Sequence, residues 1–100
     1  MKLEVGMYVR TINGKIWIII SQKAISGHRK DIIKASHNIM DLIEVGDYVN
    51  GNPVCIIKED EHNRKWIYTD SNYKYGYLEE DIKSIVTKEQ FESMKYSLEG

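Results

Sequence analysis

Two phrases decide how this chain is read: "EVGMYVRTINGKIWIII" (Glu4–Ile20) and "EVGDYVNGNPVCII" (Glu44–Ile57). Both begin Glu-Val-Gly-x-Tyr-Val, at an offset of 40 residues. In the first, apolar and polar residues alternate, break at Asn13-Gly14, and resume with β-branched residues. That pattern predicts a strand, a tight turn and a second strand. The second phrase does the same around "NGNP", where Gly51 supplies a positive φ and Pro53 ends one ladder.

Later segments correspond more loosely. "RKDIIKAS" (Arg29–Ser36) is similar to "EEDIKSIV" (Glu79–Val86), now at an offset near 50, so the first unit lacks about ten residues that the second possesses. Self-similarity on this scale marks one supersecondary unit used twice. The second unit adds short β segments in "RKWIYTD", "KYGYL" and "KSIVT", with "LEEDI" as a single helical turn between the last two. This is the pattern of an SH3-like small barrel. The expected fold is mostly β: two tandem, related small units (SH3-like barrel or meander) sharing a core, with one C-terminal α-helix. The first, shortened unit covers residues 1–43 and the second 44–100, in a single compact domain without a Gly/Ser/Pro-rich linker.

Strands are expected near 5–11, 15–20, 45–50, 54–58, 65–69, 74–78 and 83–86, and the only substantial helix near 88–97. The helix start is marked by Thr87 with Gln90 three residues on, a capping-box arrangement. Phe91, Met94 and Leu98 then share one face. The expected core comprises Val9, Ile18, Val49, Ile56, Ile67 and Ile85, with Phe91 and Met94 from the helix. Tyr8 and Tyr48 should occupy equivalent positions.

Composition narrows the function classes. The chain has 100 residues, 42% hydrophobic and 29% charged, as in an ordinary globular domain. Its longest apolar run, "IWIII" (Ile16–Ile20), is far short of the roughly 20 residues of a membrane span. "MKLEVG" lacks the apolar segment of a signal peptide, which leads to an expected location in the cytoplasm of a bacterial host. The lone Cys55, in "PVCII", reads as part of a buried strand and fits a reducing compartment. Residues 1–44 carry a net charge of +3 and residues 45–100 of −4, neither of them a strongly basic footprint.

The aromatics cluster. Trp66, Tyr68, Tyr73, Tyr75 and Tyr77 fall within twelve residues. Alternation puts Tyr73, Tyr75 and Tyr77 on one face of a strand, with Asn72, Lys74 and Gly76 on the other. The tyrosine face is therefore expected to point inward or toward a partner. It is either the wall of the barrel or a shallow aromatic groove for a peptide, nucleobase or protein. The candidate partner-binding set is Trp66, Tyr68, Tyr73, Lys74 and Tyr75 with the acidic run Glu59, Asp60 and Glu61. An alternative basic site is His28, Arg29, Lys30 and Lys34, joined by Lys23. Those residues read as a solvated loop suited to salt-sensitive phosphate contact.

Catalytic and metal chemistry find no support. Ser21, Ser26, Ser36 and Cys55 lack a nucleophile signature, and no Gly-rich phosphate loop occurs. Histidines 28, 37 and 62 are dispersed, without ligand spacing. No enzyme activity, metal or cofactor is expected.

"DIIKASHNIMDLIEVGDYVNG" (Asp31–Gly51), "EDIKSIVTKEQFESMKY" (Glu80–Tyr96) and the opening "VGMYVRT-NG" resemble a group of small phage and prophage proteins of Firmicutes, over nearly the whole chain. Members of that group carry a longer segment after "NGKI", so "SQKAISGH" (Ser21–His28) looks like a deletion. The resemblance implies a phage accessory protein acting by non-catalytic binding, above all inhibition of a host defence nuclease or complex through protein–protein contact, as anti-CRISPR proteins do. Two alternatives stand beside it. One is a nucleotide-signal or nucleic-acid binding module, a sponge, for which Arg10, Arg29, Lys30 and Arg64 are the plausible converging set. The other is a transcription or assembly accessory. A homodimer is compatible with each.

Overall fold

The computed structural model describes residues 2–99, and the side chains of residues 2–93. The chain divides into two compact units, Met1–Leu42 and Ile43–Gly100. Among the described residues it is mostly β: two sheets, of three and five strands.

In the first unit, β1 (Tyr8–Thr11) runs between β2 (Ile16–Ile18) and β3 (Ile32–Ser36), antiparallel to both. Gly14, at φ +81°, closes the β1–β2 turn by donating to the Thr11 carbonyl. One sheet face carries Val9, with Trp17 and Ala35 as its neighbours on β2 and β3. It packs with Leu3, Met7, Ile19, Ile25 and Ile32 into an apolar cluster. Each fully buried aliphatic side chain there stabilises the unit by about 1.5–3 kcal/mol. Arg10 is also buried, and its guanidinium donates to the Leu42 carbonyl at 2.9 Å.

Two elements of this unit depart from expectation. β3 lies outside the expected strands, although "DIIKAS" matches a β segment of the second unit. The segment 22–28, for which no helix or strand was expected, forms helix α1 (Gln22–His28), and Arg29–Asp31, in the expected loop, continues it as a 3-10 turn. Gln22, Lys23 and Ala24 favour helix, but Ile25 is the sole buried residue of α1, so no apolar stripe announces it. Ile18, expected in the core, is 43% exposed because Val9 and Trp17, not Tyr8 and Ile18, face the cluster.

In the second unit the strand order is β7-β6-β5-β4-β8. The strands are β4 (Tyr48–Val49), β5 (Asn52–Glu59), β6 (Lys65–Thr69), β7 (Asn72–Tyr77) and β8 (Ile85–Val86). A 3-10 turn, Glu79–Asp81, precedes β8. Pro53 does not end a ladder; it lies in β5 opposite Tyr48. Val49, Val54 and Ile67 are buried, whereas Ile56 is 46% exposed. A register shift between Val54 and Ile56 is the reason: the extra residue turns Ile56 to the outer face and Ile57 to the inner one, opposite Ile67. Ile85 is only half-buried.

Helix α2 (Lys88–Glu99) begins as its sequence predicts. The Thr87 amide donates to Gln90 Oε1 at 3.2 Å, and the Gln90 amide to Thr87 Oγ1 at 3.3 Å. Phe91, expected in the core, is 37% exposed; it lies on the sheet through a stack on Tyr48, with ring centroids 4.3 Å apart. Met94 and Leu98 fall outside the described side chains.

The two opening phrases fold into the same turn. Met7 N–H donates to the Glu4 carbonyl and Asp47 N–H to the Glu44 carbonyl. Gly6 and Gly46 take φ of +96° and +99°, as the third residue of a type II turn requires. Gly6 N–H then donates to Ile19 O, which matches Gly46 N–H to Val54 O. Ile19 N–H donates to Met7 O, which matches Val54 N–H to Asp47 O.

Candidate functional site

The outer face of β5–β7 in the second unit gathers the aromatic residues singled out above. Along β6, Ile67 and Thr69 are buried while Trp66 and Tyr68 alternate to the other side. Lys58 lies opposite Trp66, and Ile56 opposite Tyr68.

The tyrosine strand does not alternate as expected. Ile67 pairs with Tyr77 and Thr69 with Asn72, so Tyr68 alone faces the four residues Tyr73–Gly76. That segment bulges from the ladder. Gly76 makes the bulge with φ +76°, and Asn72 Nδ2 closes it by donating to the Gly76 carbonyl at 3.0 Å. Tyr73, Lys74 and Tyr75 consequently all stand exposed, at 76% and 72% for the two tyrosines, while Tyr77 turns toward Ile67. The period-two argument that grouped Tyr73, Tyr75 and Tyr77 on one face, inward or toward a partner, fails at this bulge, which separates Tyr77 from the exposed Tyr73 and Tyr75. Gly76 is buried under the Tyr68 ring; a Cβ there would lie 3.0 Å from its Cε1. The sequence signal was the glycine itself, which in a strand interior marks a bulge or a close approach.

Three rings of this face carry cations. Lys58 Nζ lies 5.8 Å from the Tyr68 centroid, Arg64 Cζ 5.9 Å from that of Trp66, and Lys74 Nζ 5.5 Å from that of Tyr75. Such geometry is within the range of a cation–π attraction. Lys58 and Arg64 lie outside the expected partner-binding set: the β5–β6 pairing brings Lys58 over Tyr68, and the bond to Asp60 in the hairpin turn holds Arg64 by Trp66.

The acidic run is divided by the fold. Asp60 sits inside the β5–β6 hairpin and accepts from Trp66 Nε1, Arg64 Nε, and the amides of His62 and Arg64. These bonds, that from Trp66 foremost, hold its carboxyl well below the usual carboxylate range. Asp60 therefore fixes the orientation of Trp66. Glu59 faces Lys65 across the ladder, and Glu61 lies 3.5 Å from His62.

The remaining candidates sit elsewhere. His28 closes α1, its ring edge-on to Trp17 at 5.5 Å; Arg29 and Lys30 belong to the 3-10 turn and Lys34 to β3. Of the residues named as a converging set, Arg10 is buried and bonded to the Leu42 carbonyl. Cys55, expected in a buried strand, is exposed at the β5 register shift. Its thiol donates to Asp70 at 2.8 Å, a bond that pushes its pKa up and leaves it a poor nucleophile. Among the described residues no cluster of three or more His, Cys, Asp or Glu side chains is placed to hold a metal, and no helix is long and apolar enough to cross a membrane. Comparisons with family models, curated proteins and solved structures give no match to this chain.

Proposed function

We propose that this protein acts by non-catalytic binding, with the outer face of β5–β7 as its contact surface. The observation that carries the reading is the bulge at Tyr73–Gly76, which holds Tyr73 and Tyr75 out in water beside Trp66 and Tyr68. Rigid aromatic side chains bury a large area at low entropic cost, and Trp, Tyr and Arg dominate the energetics of contact surfaces. The resemblance to small phage proteins supplies the wider proposal: a phage accessory that engages a component of a host defence system. Of the acidic run in the partner-binding set, Asp60 is taken up by bonds within the hairpin, so the rings carry most of the surface.

The fold is part of the proposal. We read the second unit as an SH3-like barrel, on the strand order β7-β6-β5-β4-β8 with a 3-10 turn before the last strand. The first unit is read as a shortened relative, with α1 in place of the middle strands. The matched turns at Gly6 and Gly46 support this.

Capture from a host lysate tests the contact surface. Tagged wild type and a Tyr73→Ala/Tyr75→Ala variant of unchanged melting temperature are compared. Loss of the retained component, whatever its chemistry, is expected for the variant. Equal retention by both overturns the assignment of this face.

A further inference from the structure

We infer that the occupant of this face is a single-stranded nucleic acid. The inference rests on the contact surface proposed above and names its ligand. It follows from how charge is distributed among the rings. Between Asn52 and Tyr77, Asp60 is bonded to Trp66 and Arg64 and Asp70 to the Cys55 thiol, while Glu59 lies opposite Lys65 and the exposed Glu61 stands beside His62 at the end of the hairpin. Among the described residues Lys58 and Lys74 have no carboxylate partner; each has its ammonium over a tyrosine ring of the exposed face. The face thus presents aromatic planes with cations over them, and Asp60, the acid bonded to Trp66, is held within the hairpin.

Phosphates recur along a single strand and alternate with flat bases, which matches that arrangement. Bases stack on Tyr73 and Tyr75, while Lys58 and Lys74 lean from the rings to the backbone. A duplex fits poorly, because its bases are already stacked and offer no free π face. Affinity from so few cations is weak and salt-sensitive. The two phosphate contacts of Lys58 and Lys74 would give a slope of about −1.4 in log K against log salt for a single strand. A protein partner needs no such pairing of cations with rings.

Fluorescence anisotropy with a labelled oligothymidylate at low salt tests this, with a duplex of equal length as control. Binding to the single strand and not to the duplex is expected. Tyr73→Ala and Tyr75→Ala should each weaken it about tenfold. Lys58→Ala and Lys74→Ala should flatten the salt dependence by about 0.7 each. Absence of binding, equal binding to duplex, or indifference to the tyrosine variants overturns the inference. The two proposals fail separately. A lysate protein held by wild type and lost by Tyr73→Ala/Tyr75→Ala keeps the contact surface and overturns the nucleic acid. A nucleic acid bound equally by that variant overturns both.

Discussion

The turns at Glu4–Met7 and Glu44–Asp47 share every backbone hydrogen bond described above and differ in one side chain. Where the first unit has Met7, packed against its apolar cluster, the second has Asp47, fully buried. Asp47 Oδ2 accepts from the Glu44 amide at 2.7 Å, and Oδ1 from the Lys88 amide at 3.0 Å. The carboxylate thus ties the turn to the first residue of α2, whose free N–H groups favour an anion. Met7 does the corresponding task by packing. The same backbone is held in one place by transfer from water and in the other by a polar hub, and the substitutions that break them differ accordingly.

The largest effect is expected from Asp47→Met, which writes the first phrase into the second. It leaves the Glu44 and Lys88 amides without their carboxylate acceptor, at a cost of about 3 kcal/mol in urea denaturation. Asp47→Asn, which keeps one acceptor, should lose roughly half of that. A loss below about 1 kcal/mol for Asp47→Met would mean that apolar packing replaces the hub, and that the two turns are interchangeable.

The two units also differ beyond their last strands. Met40 lies in the 3-10 turn Ile39–Leu42 after β3, and Phe91 in α2 after β8. Met40 is 2% exposed and Phe91 37%. Met40→Ala should therefore cost about 3 kcal/mol and Phe91→Ala only about 2, although the phenyl ring is the larger group. Thermal and urea midpoints of the two variants decide the order. The reverse order would show that the Tyr48 stack outweighs burial.

These pairs also show what the amino-acid sequence made legible. Repetition of Glu-Val-Gly-x-Tyr-Val marked a shared element, but Gly6 and Gly46 make turns where the strands 5–11 and 45–50 were expected to begin, because a glycine takes φ near +96° without strain. The Thr87/Gln90 box announced the start of α2, because capping is local chemistry. What was not legible lay in register. A single extra residue near Cys55 reverses the faces of Ile56 and Ile57, and the bulge at Tyr73–Gly76 suspends alternation. Neither changes composition or apolar content, so no periodicity records them. At the candidate site the clustering of the aromatics was legible, and the bond of Asp60 to Trp66 was not, since the two are six residues apart across a hairpin.

The glycines of the two turns give a smaller, sharper test. Gly6→Ala and Gly46→Ala each force an L side chain to positive φ and should cost about 1–1.5 kcal/mol. A Cβ at Gly46 also meets Lys88 Cδ at 3.4 Å, while one at Gly6 has His37 at 3.9 Å. Gly46→Ala should be the worse of the two. Equal losses would assign the whole cost to backbone strain.

The smallest effect separates the units by pH. Glu4 pairs with His37 in the first unit, and Glu44 with Lys88 Nζ at 2.7 Å in the second. The His37 hydrogen bond lowers the Glu4 pKa from its ordinary 4.5, and the Glu44 hydrogen bond raises that of Lys88 from 10.5. The signs are opposite. A lowered carboxyl pKa contributes stability that is complete above 4.5 and is lost as pH falls through the folded value. A raised ammonium pKa contributes stability that is complete below 10.5 and is lost as pH rises through the folded value. The Glu4–His37 pair is exposed and the Glu44–Lys88 pair part-buried at the surface, so each effect is small and screened by salt. Melting temperatures of Glu4→Gln and Lys88→Met are then compared with wild type across pH. The Glu4→Gln difference should vanish only at the acid end, and the Lys88→Met difference should shrink only at the alkaline end. A Glu4→Gln difference that persists unchanged well below pH 4.5 would show that Glu4 acts through the geometry of its turn and not through its charge.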